Sequence, residues 1–517
     1  MKKLTDSTSF EYAQSEFAIA GLWQLMDGNK ESLNIAHEAV DRHATSDNTA
    51  INIAHSDCSD EKISFKELSR RSSQVANWLL SLNVKRGDRV GLMVDPSLAF
   101  YATLFGIIKT GAIAVPMFTL FGPDALRARV EDSGLAVLVV SSEKSDMARE
   151  LEGIHISVAD DTYLSNLDRF ETSFSTNSKS SDYAIYQYTS GTTRAMPTAV
   201  KHTHLSIVYL MIAALYATGI RPGDRFFCPS STAWGHGLWH GTLGPLTLGI
   251  TTGTISGKFD PKRFAKALSD YRITALSAAP THFRMLKSSG VAQDFDYAVN
   301  KLSYTGEPLD TSTAEFIENI FGTVPRSMYG TTEVGTVLVN YPGAEDYDVR
   351  RGSLGKPIPG TEVDVHDASG NPCEPGEQGE LVVRRKADWV STKDRGSKDS
   401  DGYFYYGGRS DDIIISAGWT MSAIEIEDVL LKHDAVLEAA VIGVPDDMRG
   451  LIPKAYLVSN RFGSVELAQE LKDFSKTRLS LHEYPREIEF VEDLPKTMAG
   501  KVNRKVLRDK ISAGQTI

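Results

Sequence analysis

Apolar residues recur at helical spacing through FKELSRRSSQVANWLLSLN (65–83), and the short run GDRVGLMV (87–94) follows as a strand. LAFYATLFGIIKTGAIAVPM (98–117) repeats the pattern, a helix ended by Gly111 and then a strand. LRARVEDSGLAVLVVS (126–141) repeats it once more, and a second alternating stretch covers 206–329. Helix and strand in alternation predict a mostly parallel sheet covered on both faces. Between these stretches, ETSFSTNSKS (171–180) reads as a Ser/Thr-rich surface loop. YAIYQYT (183–189) reads as a strand running into a Gly/Thr-rich turn.

The pattern changes over 352–385, where GTEVDVHDASGNPCEPGEQGELVVRR holds short strands separated by Gly, Pro, Asn and Asp turns. A small β-rich unit is expected there, followed by an exposed polar segment, STKDRGSKDSDG (391–402). After 409 the pattern resets. IEIEDVLLKHDAV is an amphipathic helix, EAAVIGVPD a strand, VELAQELKDFSKTRL a helix and REIEFVEDLP a strand. This is a compact α+β unit of about a hundred residues, an ordinary domain size.

Composition narrows the function. The 517 residues are too many for one ordinary core. A net charge of −12 lacks the basic footprint of a nucleic-acid binder, and leaves small nucleotides open as ligands. The three cysteines, Cys58, Cys228 and Cys373, make no metal-ligand spacing and read as reduced thiols. No secretory signal follows the two opening lysines, and the apolar stretch 207–217 is too short for a membrane span. A cytoplasmic enzyme is the expectation.

The segment richest in chemistry is YTSGTTRAMPTAVKHTH (188–204). Thr189, Ser190, Thr192 and Thr193 offer four hydroxyls, and Gly191 permits an unusual backbone path. A strand entering such a loop can wrap phosphate oxygens. No GxxxxGK[ST] and no GxGxxG is present, so neither a P-loop nor a dinucleotide fingerprint competes. Four more motifs follow in order: YTGEPL (304–309), MYGTTE (328–333), GRSDD (408–412) and PKTMAGKVNR (495–504). With TSGTT they resemble the acyl-adenylate-forming superfamily, which holds acyl-CoA synthetases, carrier-loading adenylation domains and firefly-type luciferases.

The resemblance implies a large N-terminal AMP-binding domain (1–408) with parallel-sheet subdomains and a small β-rich unit. It also implies a hinge (409–412) and a smaller, mobile α+β C-terminal domain (413–517). ATP, Mg²⁺ and coenzyme A are the implied cofactors. Thr189, Ser190, Gly191, Thr192 and Thr193 would hold phosphate. Gly306, Glu307 and Pro308 would line the adenine with Tyr329 against the ring, and Gly330 and Thr331 would belong to the same ATP/AMP site. Thr332 would donate to a phosphate and Glu333 would hold Mg²⁺. Asp394 and Arg409 would bracket the ribose, Asp411 would be the hinge, and Lys501 would swing in as a point charge between the acid and the α-phosphate.

The segment CPSSTAWGHGLWHGTLGPLTLG (228–249) resembles the acyl-pocket region of the acetyl- and medium-chain branch. It nominates Trp234, Gly235, His236, Trp239 and His240 for the acyl pocket. Gly418 and Trp419 would border coenzyme A.

Two departures from the family pattern stand out. Thr198 replaces a loop lysine after Arg194, and Thr392–Lys393–Asp394 stands where the family reads Thr-Gly-Asp. The implied reaction is ligation of a carboxylic acid to coenzyme A through an acyl-adenylate. The alternatives are loading of a carrier protein, a luciferase-type side activity and a degenerate binding module. Sixteen residues follow Lys501, so no fused carrier domain is expected. A homodimer is left open.

Overall fold

The computed structural model describes residues 3–188, 198–331, 334–409, 413–416, 419–446, 450–479, 484–497 and 500–512. Three sheets carry the architecture.

The first is six-stranded and centres on Arg89–Met93, flanked by parallel strands Ile113–Pro116 and Leu135–Ser141. Helices Phe65–Ser81 and Leu98–Thr110 supply its cover. Ser64 Oγ caps the first by accepting from Glu67 N–H, and Gly111 ends the second at φ 78°.

The second sheet has thirteen strands. Its parallel half runs through Thr49–Ala54, Thr251–Ile255, Arg225–Phe227, Ala275–Ala278, Lys301–Tyr304 and Arg326–Thr331. Helices Pro261–Asp270, Pro280–Ser289 and Thr311–Phe321 connect or follow these strands. Most residues of these strands are buried, as in a sheet covered on both faces.

The β-rich unit expected over 352–385 is larger than its turn pattern indicated. Strands Gly335–Val339, Ser353–Pro357, Phe404–Arg409, Asp388–Lys398, Gly379–Arg385 and Val363–His366 continue the same thirteen-stranded sheet in antiparallel pairing. The expectation of an exposed 391–402 is corrected here. Most of that segment is strand, and Thr392, Asp394 and Ser397 are buried. Polarity misled because these side chains are satisfied internally: Thr392 donates to Leu381 O, and Asp394 accepts from Tyr329. Lys393 sits at φ 63°, a left-handed position that favours glycine. The lysine that departs from the family pattern therefore occupies a place where glycine is the natural residue.

The third sheet has five strands and belongs to the C-terminal unit. Val436–Asp446 and Gly450–Ser459 pair antiparallel, and Glu487–Phe490 joins parallel. Helices Ala423–Leu430, Val465–Lys476 and Arg504–Ser512 complete it. Glu427 and Arg504 tie two of these helices by a carboxylate–guanidinium pair at 2.6 Å. No helix among the described residues is long and apolar enough to cross a membrane.

Candidate active site

The C-terminal unit lies over the end of the parallel strands, and a cleft of about 1560 Å³ opens between the two. Thr311 N–H donates to Asp428 at 3.0 Å, and Thr281 Oγ1 reaches Gly500 O at 3.5 Å across this junction. The cleft lies beyond the carboxyl ends of the parallel strands, where open α/β sheets bind ligands.

Lys501 is presented by a tight turn of the C-terminal unit. Thr497 N–H donates to Lys501 O at 2.7 Å, Gly500 N–H donates to Thr497 O at 2.8 Å, and Gly500 takes φ 80°. The turn projects the lysine into the cleft, where Nζ lies 5.4 Å from the centre of the Trp234 ring. An aromatic face attracts an ammonium, so the indole helps hold the charge within the cleft.

Gly306 is the third party to this contact. A Cβ built there would meet Trp234 Cη2 at 3.0 Å and Lys501 Cε at 3.2 Å. At φ 105° the position is also closed to other residues on backbone grounds.

Glu307 is engaged elsewhere. Its carboxylate accepts from Thr281 N–H at 2.9 Å and Thr281 Oγ1 at 2.6 Å, and pairs with Arg284 at 2.5 Å. Burial works against its charge. The Arg284 guanidinium, the Thr281 and Arg284 hydrogen bonds and the Lys501 ammonium outweigh that and hold its carboxyl below the ordinary range. The backbone of the 306–308 turn, rather than the carboxylate, is thus open to a ligand. Arg284 and Thr281 were not nominated from sequence. They lie in AAPTHFRML (278–286), whose sequence does not show that the fold brings them to Glu307.

On the opposite wall, Tyr329 Oη donates to Asp394 at 2.7 Å. Burial and the Asp394 carboxylate raise the phenol well above its ordinary value, so it stays a donor. Asp394 stands directly opposite Arg409 in the antiparallel register of their strands. Thr331 Oγ1 is buried beside the cleft, without a hydrogen-bond partner among the described residues. Gly330 has no room for a side chain, because a Cβ would fall 2.1 Å from Gly335 O.

Thr189, Ser190, Gly191, Thr192, Thr193, Thr332, Glu333, Asp411 and Gly418 lie outside the described residues. Trp419 begins the strand Trp419–Ser422 of the C-terminal sheet. Among the described residues no group of three or more His, Cys, Asp or Glu could hold a metal ion.

The acyl-pocket candidates converge through an unusual helix. His236–Leu243 is a π-helix, whose wide turn brings His236, Trp239 and His240 to the cleft. Gly237 allows the tight entry, since a Cβ there would lie 2.2 Å from Ser231 O. His236 has both nitrogens engaged, with Ser230 Oγ at 2.9 Å and Ser277 Oγ at 2.8 Å, so it offers the pocket a ring rather than a hydrogen bond. Burial pushes it well below its ordinary value, and it is neutral. Trp239 Nε1 donates to Gln187 Oε1 at 3.1 Å, which leaves its indole as an apolar wall.

The family profile described as AMP-binding enzyme matches residues 37–390. The chain belongs to that family. The profile of the AMP-binding enzyme C-terminal domain matches residues 425–501, the unit that delivers Lys501. An acetyl-coenzyme A synthetase of Bacillus subtilis (strain 168) is 32% identical, over 92% of this chain and 90% of that protein. A solved acyl-CoA synthetase of Brucella canis is 30% identical, with a TM-score of 0.76 over 98% of this chain and all of the other. An anthranilate CoA ligase solved with anthranoyl-AMP is 26% identical, with a TM-score of 0.86 over 96% of this chain and 100% of that one. This AMP-binding enzyme therefore falls in the acyl-CoA synthetase branch of the adenylate-forming superfamily, a branch of ATP-dependent ligases.

Proposed function

We propose that the enzyme joins a carboxylic acid to coenzyme A in two steps, first forming an acyl-adenylate with release of pyrophosphate. The observation that carries this reading is Lys501 seated on Trp234 beside the 306–308 turn. Adenylation brings a carboxylate against an α-phosphate, two anions whose approach needs charge neutralisation and alignment. A lysine at the meeting point of the acyl wall and the nucleotide turn supplies both.

Adenine would lie along the backbone of Gly306, Glu307 and Pro308, with the Tyr329 ring across from it. Asp394 and Arg409 face one another across their strands and would hold the ribose. Thr189, Ser190, Gly191, Thr192 and Thr193 would wrap the outer phosphates. Thr331 Oγ1 and Thr332 would donate to the phosphates nearer the acid. Glu333 would hold Mg²⁺. The adjoining Thr331 hydroxyl, buried and without a partner among the described residues, is a hard oxygen donor of the kind such an ion accepts. When bound, Mg²⁺ neutralises part of the phosphate charge.

For the second step the C-terminal unit (413–517) would turn about 409–412, with Asp411 as the pivot. Lys501 would be withdrawn, and Gly418 and Trp419 would border the pantetheine path. No cysteine need carry the acyl group. Burial pushes the Cys228 thiol up to about 12, so it is no nucleophile at neutral pH. The cytoplasm suits a CoA ligase, and a homodimer would leave the cleft within each chain.

With ATP, Mg²⁺, a suitable acid and coenzyme A, the purified protein is expected to release AMP and pyrophosphate and to form a thioester. Appearance of ADP and phosphate instead would overturn the adenylate route. A thioester made only on a carrier protein would move the enzyme to carrier loading.

Trp234 closes the acyl side of the cleft next to His236, with ring centres 5.2 Å apart. Trp234→Gly should shift preference toward longer or bulkier acids, by roughly 1–3 kcal/mol per accommodated methylene. An acid profile identical to that of the wild type would assign Trp234 to packing alone.

A further inference from the structure

Beyond Trp234 the acyl wall changes character. His202, on the strand Val200–Thr203, and His240, on the π-helix, both line it. The His202 ring rests on Trp239 with centres 4.7 Å apart, and the His240 ring lies 6.2 Å from that of His236. Unlike His236, neither ring has a hydrogen-bonding partner or a nearby charge holding it among the described residues. Burial alone sets the state of each and pushes each down to about 4. His240 Nδ1 is buried and has no hydrogen-bond partner among the described residues. Ser206, at the start of helix Ser206–Tyr216, adds a hydroxyl to the same cleft.

A wall for a plain hydrocarbon chain gains nothing from imidazoles. Facing them with methylenes would strip their nitrogens of water and return no hydrogen bond. A second carboxylate is equally ill matched, because neutral rings offer it no charge. A neutral imidazole carries one N–H donor and one lone pair. Its complement is a neutral group that gives or accepts one hydrogen bond.

The geometry points to a carboxylic acid whose tail bears a hydroxyl or carbonyl group, received by His240 and His202 at the end of the pocket remote from Lys501. The assignment rests on the ligase reading above and names the class of acid. Lys501 would fix the carboxylate end: its Nζ is 5.4 Å from the Trp234 ring, which is 5.2 Å from that of His236, which in turn is 6.2 Å from that of His240. The polar group therefore belongs on the tail of a short chain, not beside the carboxylate.

The test pairs acids of equal size. 4-Hydroxybutyrate, 5-hydroxypentanoate, 6-hydroxyhexanoate and their oxo counterparts are compared with pentanoate, hexanoate and heptanoate for AMP release with ATP and coenzyme A. At least one hydroxy or oxo acid should exceed its alkanoate in kcat/KM by roughly 10- to 100-fold. His240→Phe should collapse that ratio, and His240→Asn should keep part of it. His202→Leu is the second variant should His240→Phe fail to fold, as judged by its melting temperature. In parallel, non-hydrolysable acyl-sulfamoyl adenosines with and without the hydroxyl should show the same preference in Kd, and its loss in the variants.

Equal use of hydroxy acids and alkanoates by the wild type would overturn the inference and leave the ligase reading standing. A ratio unchanged in both variants would overturn the assignment to these histidines. No AMP release with any acid would overturn the ligase reading and the inference with it.

Discussion

Lys501→Ala should lose acyl-adenylate formation by about 10²–10³-fold, the usual effect of removing one preorganised charge donor. Thioester formation from a supplied acyl-adenylate and coenzyme A should stay near the wild-type rate. The asymmetry follows from where the lysine sits. Its ammonium is 5.4 Å from the Trp234 ring, at the junction of acyl wall and nucleotide turn, on an element of the C-terminal unit. Once the adenylate exists, the two anions are already joined and the charge has no further task. A turn held by the Thr497 and Gly500 hydrogen bonds presents the lysine backbone first, so alanine should leave the turn folded. Pyrophosphate exchange measures the first step and synthetic acyl-adenylate the second. Equal loss in both, with an unchanged melting curve, would remove Lys501 from a step-specific role.

Arg284→Ala should be the most damaging change outside the reacting groups. Arg284 pairs with Glu307 at 2.5 Å and lies 3.6 Å from Asp310, and its side chain is 22% exposed. Removing it leaves two carboxylates facing each other beside the site of a polyanionic substrate. A cost of about 2 kcal/mol in stability is expected, below the value for a fully buried pair because both partners keep some solvent. KM for ATP should rise as well.

The pH dependence has a definite sign. The Glu307 carboxyl is held below its ordinary value of 4.5, so the ionised form is favoured by folding. That contribution is fully present above about pH 4.5 and fades as pH falls through the lower, folded-state value. The stability gap between wild type and Arg284→Ala should therefore be constant near neutrality and narrow in acid. Urea titrations at several pH values measure it, and a gap that widens in acid would refute the assignment.

The fold was legible where burial imposes a pattern. Parallel strands such as Ile113–Pro116 and Leu135–Ser141 are almost wholly apolar and buried, and the helices before them carry clear stops such as Gly111. It was illegible where polar residues are buried as partners. Thr392 and Asp394 look like surface loop in a sequence, because nothing local shows that Leu381 O and Tyr329 Oη await them.

The same limit governed the site. Lys501, Gly306 and Tyr329 could be nominated through motifs. The contact of Lys501 with Trp234 and the pairing of Arg284 with Glu307 join segments distant in the chain, and only tertiary structure creates them. The π-helix escaped notice because its Gly- and His-rich run fits neither a helical nor a strand period. His202 escaped for a different reason: it belongs to a strand that returns antiparallel beside Tyr183–Gln187, far in sequence from the other pocket residues.

On the proposed mechanism, Gly306 would tie substrate range to reaction rate. The 306–308 turn, Trp234 and Lys501 meet at a point where an added methyl group would press on both side chains, at 3.0 and 3.2 Å. An acid that displaces the Trp234 indole would displace the surface on which the ammonium rests. The enzyme would then sense a misfitting acid as a misplaced charge, and discriminate in the chemical step as well as in binding. Redesign of the pocket for larger acids would need a new support for Lys501 in the same variant, since widening alone should yield an enzyme that binds the new acid and activates it slowly.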